Sequence, residues 1–167
     1  KTSATVYTFT YTVPSGDGTG TISLSNGQDL ADNVITSTPS SGASFTVDNT
    51  APTLSSVSLA SNNSTNTLAK ENDIVTLTFT ASETIGTPTV TFLSGGNSIQ
   101  DSSITYNNIS GNTWTAAYTV HSSDTDGSVT YSIAFTDSAG NNGNAVTSGS
   151  GSVTVDTTLP TLSSVSI

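Results

Sequence analysis

Residues 45–59 read FTVDNTAPTLSSVSL, and residues 153–167 read VTVDTTLPTLSSVSI. Two stretches this alike, about 108 residues apart, mark an internal repeat. Two weaker matches share the offset. Tyr11-Thr12-Val13, followed by Asp17 and Gly20, parallels Tyr118-Thr119-Val120, followed by Asp124 and Gly127. Asp29-Leu30-Ala31-Asp32-Asn33 parallels Asp137-Ser138-Ala139-Gly140-Asn141. Three matches in one order predict the boundaries. Residues 1–50 read as the C-terminal half of one unit, 51–157 as a complete unit, and 158–167 as the first strand of the next. The chain therefore reads as an excerpt of a longer array. A unit of about 108 residues suits a small two-layer sandwich, which needs about 100.

Working outward from the repeat, apolar residues alternate with Thr and Ser in short runs, the period of strands with one buried face. The complete unit is expected to hold seven strands, at 54–60, 73–81, 89–93, 98–106, 113–120, 128–136 and 145–155. Val75, Leu77, Phe79 and Ala81 point inward, as do Trp114, Ala116, Tyr118 and Val120 on the fifth strand. Val129, Tyr131, Ile133 and Phe135 do the same on the sixth. Gly, Asn, Asp and Ser clusters separate the runs, as turns require. No amphipathic helix is expected. The fold class is all-β, with tandem seven-stranded antiparallel sandwiches, and residues 1–50 supply three strands of the preceding one.

Composition narrows function. The 167 residues carry 12 acidic and 2 basic side chains, a net charge of -10. Two lysines cannot neutralise a phosphate backbone, so nucleic acid is not an expected partner, and anionic membrane surfaces repel the chain. No apolar run approaches a membrane span, and no signal-peptide pattern is present. With no Cys, disulfides and sulfur-ligated metals are excluded. Only 32% of the residues are hydrophobic, which taken alone suggests disorder. Strict alternation argues the opposite. Ser and Thr, about 38% of the chain, stand where most strands place charges.

The segments VDNTAPTL and VDTTLPTL, with FTDSAGN between them, resemble the bacterial immunoglobulin-like repeats that tile large surface adhesins and surface-layer proteins. The unit lacks the Cys pair and third-strand Trp of antibody domains, and its one Trp, Trp114, falls on the fifth strand. That favours a bacterial or cadherin-like sandwich.

Seven alternating strands send their loops to two poles. Asp48 in the incoming linker, Glu83 in the second-to-third-strand loop and Asp137 in the sixth-to-seventh-strand loop are expected at the incoming pole. Asp17 of the preceding unit is expected at the same junction. The pattern returns at the outgoing pole with Asp124, Asp126 and Asp156. Carboxylates gathered without basic neighbours repel, and a hard cation removes that cost. Ca²⁺ takes six to eight oxygens, and Asn49, Asn141 and Asn142 are candidate additional donors. The resemblance implies the same ion, since related arrays stiffen their joints with Ca²⁺. The plainer alternative is that each Asp opens a turn through Asx hydrogen bonds. Asp124-Thr125-Asp126-Gly127 opens like an EF-hand loop but lacks the remaining ligands. Here Asp17 is aligned with Asp124, leaving Asp126 without a counterpart.

Other features carry less. His121, the one histidine, reads as a loop residue, since its counterpart is Pro14. Lys70 sits in the polar turn Lys70-Glu71-Asn72-Asp73, where exposure is expected and an isopeptide cross-link is not. The rows Thr76-Thr78-Thr80 and Thr87-Thr89-Thr91 have the look of an ice-binding lattice, but sheet twist spoils a flat array. Asn62, Asn63 and Asn108 begin N-glycosylation sequons and are expected on loops.

The expected function is therefore non-enzymatic: a structural spacer of an extracellular cell-surface protein, with neighbouring repeats as partners and Ca²⁺ at the joints. The alternative is a module that polymerises with identical chains by strand complementation. A glycan-binding domain is a lesser alternative, with Trp114 and Tyr106 as the candidate stacking residues.

Overall fold

The computed structural model describes residues 6–34 and 39–167. The chain divides into two compact units, Lys1–Thr50 and Ala51–Ile167.

The second unit is a β-sandwich. Its strands are β3 (Leu54–Ser61), β4 (Leu68–Ala69), β5 (Ile74–Ala81), β6 (Thr89–Ser94), β7 (Asn97–Ser98), β8 (Thr105–Ser110), β9 (Thr113–Thr119), β10 (Gly127–Ala134) and β11 (Thr154–Val155). One sheet runs in the order β3-β5-β9-β8 and the other β4-β11-β10-β6-β7. Setting aside the short edge strands β4 and β7, the order is first–second–fifth–fourth facing seventh–sixth–third. That is the immunoglobulin strand order. The count is nine strands, not the seven expected.

The buried faces follow the alternation. On β5, Val75, Leu77 and Phe79 are fully buried and Ala81 nearly so, while the threonines between them face outward. The neighbouring strand β9 adds Ala116 and Tyr118, and β6 and β10 of the facing sheet add Val90, Phe92, Val129 and Ile133 to the same core. Each fully buried Val, Leu, Ile or Phe is worth about 1.5–3 kcal/mol relative to exposure. Trp114 packs half-buried against this core, opposite Phe79.

Two strands differ from expectation. The fourth lies at 105–110, later than the expected 98–106, because β8 is an edge strand whose register is set by β9 and the turn at Gly111. The seventh is broken. Val146 bridges Ile133 on one sheet, Ser150 crosses to pair in parallel with Ser58 of β3 on the other, and Thr154–Val155 returns to β10. Gly149 and Gly151 permit that crossing: a Cβ on either would strike the carbonyl oxygens of Val57 or Leu59. The reward is closure of the sandwich along β3, by Ser150 N–H to Val57 O at 2.8 Å and Leu59 N–H to Ser150 O at 3.0 Å.

In the first unit, β1 (Gly18–Thr21) pairs antiparallel with β2 (Ser44–Val47). The third strand expected there does not form among the described residues. Tyr7, Phe9, Tyr11 and Val13 alternate as Trp114, Ala116, Tyr118 and Val120 do, yet Phe9 and Tyr11 are exposed. β9 is held by a strand on each side, whereas the described part of residues 1–50 supplies no such neighbours for 7–13.

Candidate functional site

At the incoming pole of the second unit, Pro52 is fully buried, and Thr53 and Ser82 exchange hydrogen bonds of 2.9 and 3.0 Å. The 82–86 loop lies beside the 136–142 loop: Ile85 bridges Asp137, and Gly86 N–H donates to Thr136 O at 3.0 Å. This places Glu83 and Asp137 together, with carboxylate oxygens within 4.8 Å of one another.

Asp137 organises its own loop. Its Oδ1 accepts the N–H groups of Ala139, Gly140 and Asn141 at 2.7–2.8 Å, and its Oδ2 accepts Asn141 Nδ2 at 2.8 Å. Burial works to raise its pKa, but the bonds from Asn141, Gly140 and Ala139 outweigh it and hold the carboxyl below its ordinary value. The first unit builds the same loop around Asp29, which accepts the N–H groups of Ala31 and Asn33 and the Asn33 side-chain amide. Asn142 is engaged with the Thr136 hydroxyl at 2.7 Å.

At the outgoing pole, Asp126 holds the departing chain. It accepts Thr157 N–H at 2.7 Å and the Thr157 and Thr158 hydroxyls at 2.8 and 2.6 Å. Asp156 Oδ1 accepts Thr158 N–H at 3.0 Å. Asp124 is buried and accepts the N–H groups of Gln100 and His121, so it shapes the loop between β9 and β10 from within. In the first unit Asp17 accepts Asn49 N–H at 2.6 Å and the Thr50 hydroxyl. The Thr50 hydroxyl bond, then the Asn49 amide, lower the pKa of Asp17; the Thr157 amide, then the Thr158 hydroxyl, lower that of Asp126. Asp48 Oδ1 accepts Thr50 N–H at 3.1 Å, as Asp156 does from Thr158.

These bonds correct the alignment. The counterpart of Asp17 is Asp126, not Asp124. Each precedes a glycine with positive φ, Gly18 or Gly127, and those glycines stand opposite Val47 and Val155. Sequence reasoning missed the partner threonines, Thr50, Thr157 and Thr158. The signal was present as an Asp-Gly pair about 30–31 residues before each Asp-x-Thr linker.

The seven expected ligands are thus distributed as Glu83 with Asp137 at one pole of the second unit, Asp124, Asp126 and Asp156 at the other, and Asp17 and Asp48 in the first unit. Lys70 is exposed and sits 3.7 Å from Asp73, a surface ion pair. His121 Nδ1 accepts Ser123 N–H at 3.2 Å within its loop. The two threonine rows belong to different sheets, Thr76–Thr80 to β5 and Thr89 and Thr91 to β6. Tyr106 is half-buried, with its hydroxyl oxygen accepting Val90 N–H at 2.9 Å.

No family model matches the chain, and no curated protein matches it. Among solved structures, titin M4 in its trigonal form is similar at 19% identity over 65% of this chain and 96% of that one, with a TM-score of 0.36.

Proposed function

We propose that this chain is part of a tandem array of immunoglobulin-like sandwiches of the bacterial, cadherin-like kind, serving as a structural spacer in an extracellular cell-surface protein. The observation that carries this reading is the duplicated linker clamp. Asp17 ties Asn49 and Thr50 to the first unit, and Asp126 ties Thr157 and Thr158 to the second, through equivalent bonds. A clamp of this kind sets the direction in which each unit releases its linker. The repeat boundaries belong to the same proposal: 1–50 as the C-terminal half of one repeat, 51–157 as a complete one, and 158–167 as the first strand of the next.

Ca²⁺ at the joints belongs to the same proposal. Glu83 and Asp137 present adjacent carboxylates. Asp48 is five residues from Thr53, which is pinned beside Ser82, so the tether alone keeps it within about 17 Å of that residue. These three are the primary ligands proposed, with Asp156 as the equivalent of Asp48 at the next joint. Asp17, Asp124 and Asp126 support from their loops. Small-angle scattering tests the proposal. The radius of gyration should fall when EDTA replaces Ca²⁺, and Asp48→Asn with Glu83→Gln should abolish the difference. Superimposable curves with and without Ca²⁺ would remove the metal from the reading.

A second reading, polymerisation of identical chains by complementation, is favoured by the exposure of Phe9, Tyr11, Leu162 and Val165. Residues 159–167 nearly repeat 51–59, where Pro52, Val57 and Leu59 are buried. A monomer at every concentration in light scattering counts against it.

A further inference from the structure

The structure separates the three sequons. Asn63 donates its side-chain amide to Asp73 at 2.7 Å and accepts Thr65 N–H at 3.0 Å, so it is part of the turn leading to β4. Asn62 Oδ1 accepts Ile74 N–H at 2.7 Å, and the hydroxyl of its sequon serine, Ser64, donates to Asn63. In Asn108-Ile109-Ser110, by contrast, neither the amide nor the hydroxyl has a protein hydrogen-bond partner among the described residues, and both side chains are exposed.

That sequon lies at a vulnerable place. β8 is the terminal strand of its sheet. Sheet edges attract other strands unless they are short, charged, kinked or covered. In the second unit β4 and β7 are two residues long, and β3 is covered by Ser150. β8, with sequence TYNNIS, has six residues, no charge and no proline, and Ile109 is 60% exposed. Among the described residues its guard is the bulge between Asn108 and Ser110, at the turn end.

We propose that Asn108 is an N-glycan acceptor and that its glycan covers the open edge of β8. The proposal rests on the extracellular part of the reading above, since the donor, a lipid-diphosphate-linked oligosaccharide, is used outside the cytoplasm. A bond forms between Asn108 Nδ2 and the anomeric carbon of the sugar. The lipid diphosphate leaves with the electrons of the broken C–O bond, and the displaced Nδ2 proton passes to a base of the transferase. A bulky polar chain there prevents a second strand from approaching the unpaired backbone groups.

The test is secretion of the full chain from a glycosylating eukaryotic cell, which imposes the compartment, so that failure falls on the site and not on the extracellular reading. Intact mass and peptide mapping are expected to show one glycan, at Asn108, absent from Asn108→Gln and from Ser110→Ala. Trp114 fluorescence checks that both variants fold. Trimming the glycan of the folded chain to its first sugar with an endoglycosidase, which keeps Asn108 an uncharged amide, is expected to raise association in light scattering. An unmodified Asn108, a glycan on Asn62 or Asn63 instead, or unchanged association after trimming would each overturn the proposal.

Discussion

Gly151→Ala tests how the second unit is closed, and Gly111→Ala is its control. Both glycines have positive φ, +74° and +53°, so an alanine at either pays a left-handed torsional penalty of about 1 kcal/mol. They differ in what surrounds them. A Cβ at Gly111 meets nothing within 4 Å, whereas one at Gly151 meets the Leu59 carbonyl. Relieving that clash moves the crossing segment away from β3. It gives up the bond from Leu59 N–H to Ser150 O and strains the one from Ser150 N–H to Val57 O. Each is worth about 1 kcal/mol net. The expected cost is about 2–3 kcal/mol for Gly151→Ala and about 1 for Gly111→Ala. In a unit of this size that is a fall in Tm of about 8–12 °C against about 4 °C. Trp114, the one tryptophan, lies in the second unit, so thermal unfolding followed by its fluorescence reports that unit alone. Equal losses in the two variants would refute the closure argument, since torsion would then account for everything.

Two further perturbations are expected to show themselves in the same fluorescence assay. Tyr118→Phe removes a buried hydroxyl that has no hydrogen-bond partner among the described residues and whose pKa burial, aided by the charge of Asp124, pushes up. Because an unsatisfied buried polar group costs about 1–3 kcal/mol, the variant should be about 1 kcal/mol more stable; a loss of stability would show that the hydroxyl is satisfied. The second perturbation is pH. Asp73, Asp101, Asp126 and Asp137 all have folded pKa values below their ordinary ones. Folding therefore favours their ionised forms, and that stability is complete above the unfolded pKa of about 3.9 and lost as the pH falls through the folded values. Tm should hold between about pH 7 and 5 and decline below about 4, and a Tm that stays level to about pH 3 would contradict the hydrogen-bond assignments.

The fold was legible wherever a strand has a buried face. Val75, Leu77, Phe79 and Ala81 declare β5 without ambiguity, because only one register puts all four inside. β8 offered no such signal, since five of its six residues are exposed and two are asparagines, poor strand formers. Its position is a consequence of β9 and Gly111, which are tertiary facts. The seventh strand was misjudged for a related reason. Residues 145–155 have suitable composition for one strand, but Gly149 and Gly151 serve a crossing between sheets, and no local pattern distinguishes that from a weak strand. Tyr7, Phe9, Tyr11 and Val13 alternate as a buried face would, yet they are exposed and no strand pairs with them among the described residues. Pattern specifies which side is buried, while hydrogen-bonded partners decide whether a strand exists.

The acids were harder to read, and the reason lies in the composition. With two basic residues in the chain, ionised carboxylates must be stabilised by neutral donors, so each Asp competes for backbone N–H groups and hydroxyls. A sequence rich in Ser and Thr offers many such donors, and spacing alone cannot choose among them. Asp124 and Asp126 illustrate this. Two residues apart, they go to opposite duties, one buried against Gln100 and His121, the other gripping Thr157 and Thr158. What separates them is the register of Gly127 against Val155, which brings Asp126 to the linker and turns Asp124 inward. The same register of Gly18 against Val47 brings Asp17 to Thr50. The hydroxyls at these positions therefore do more than solvate the surface. They occupy the role that Lys and Arg would fill in an ordinary protein, and they do so without introducing charge, so the carboxylates they stabilise keep their negative charge.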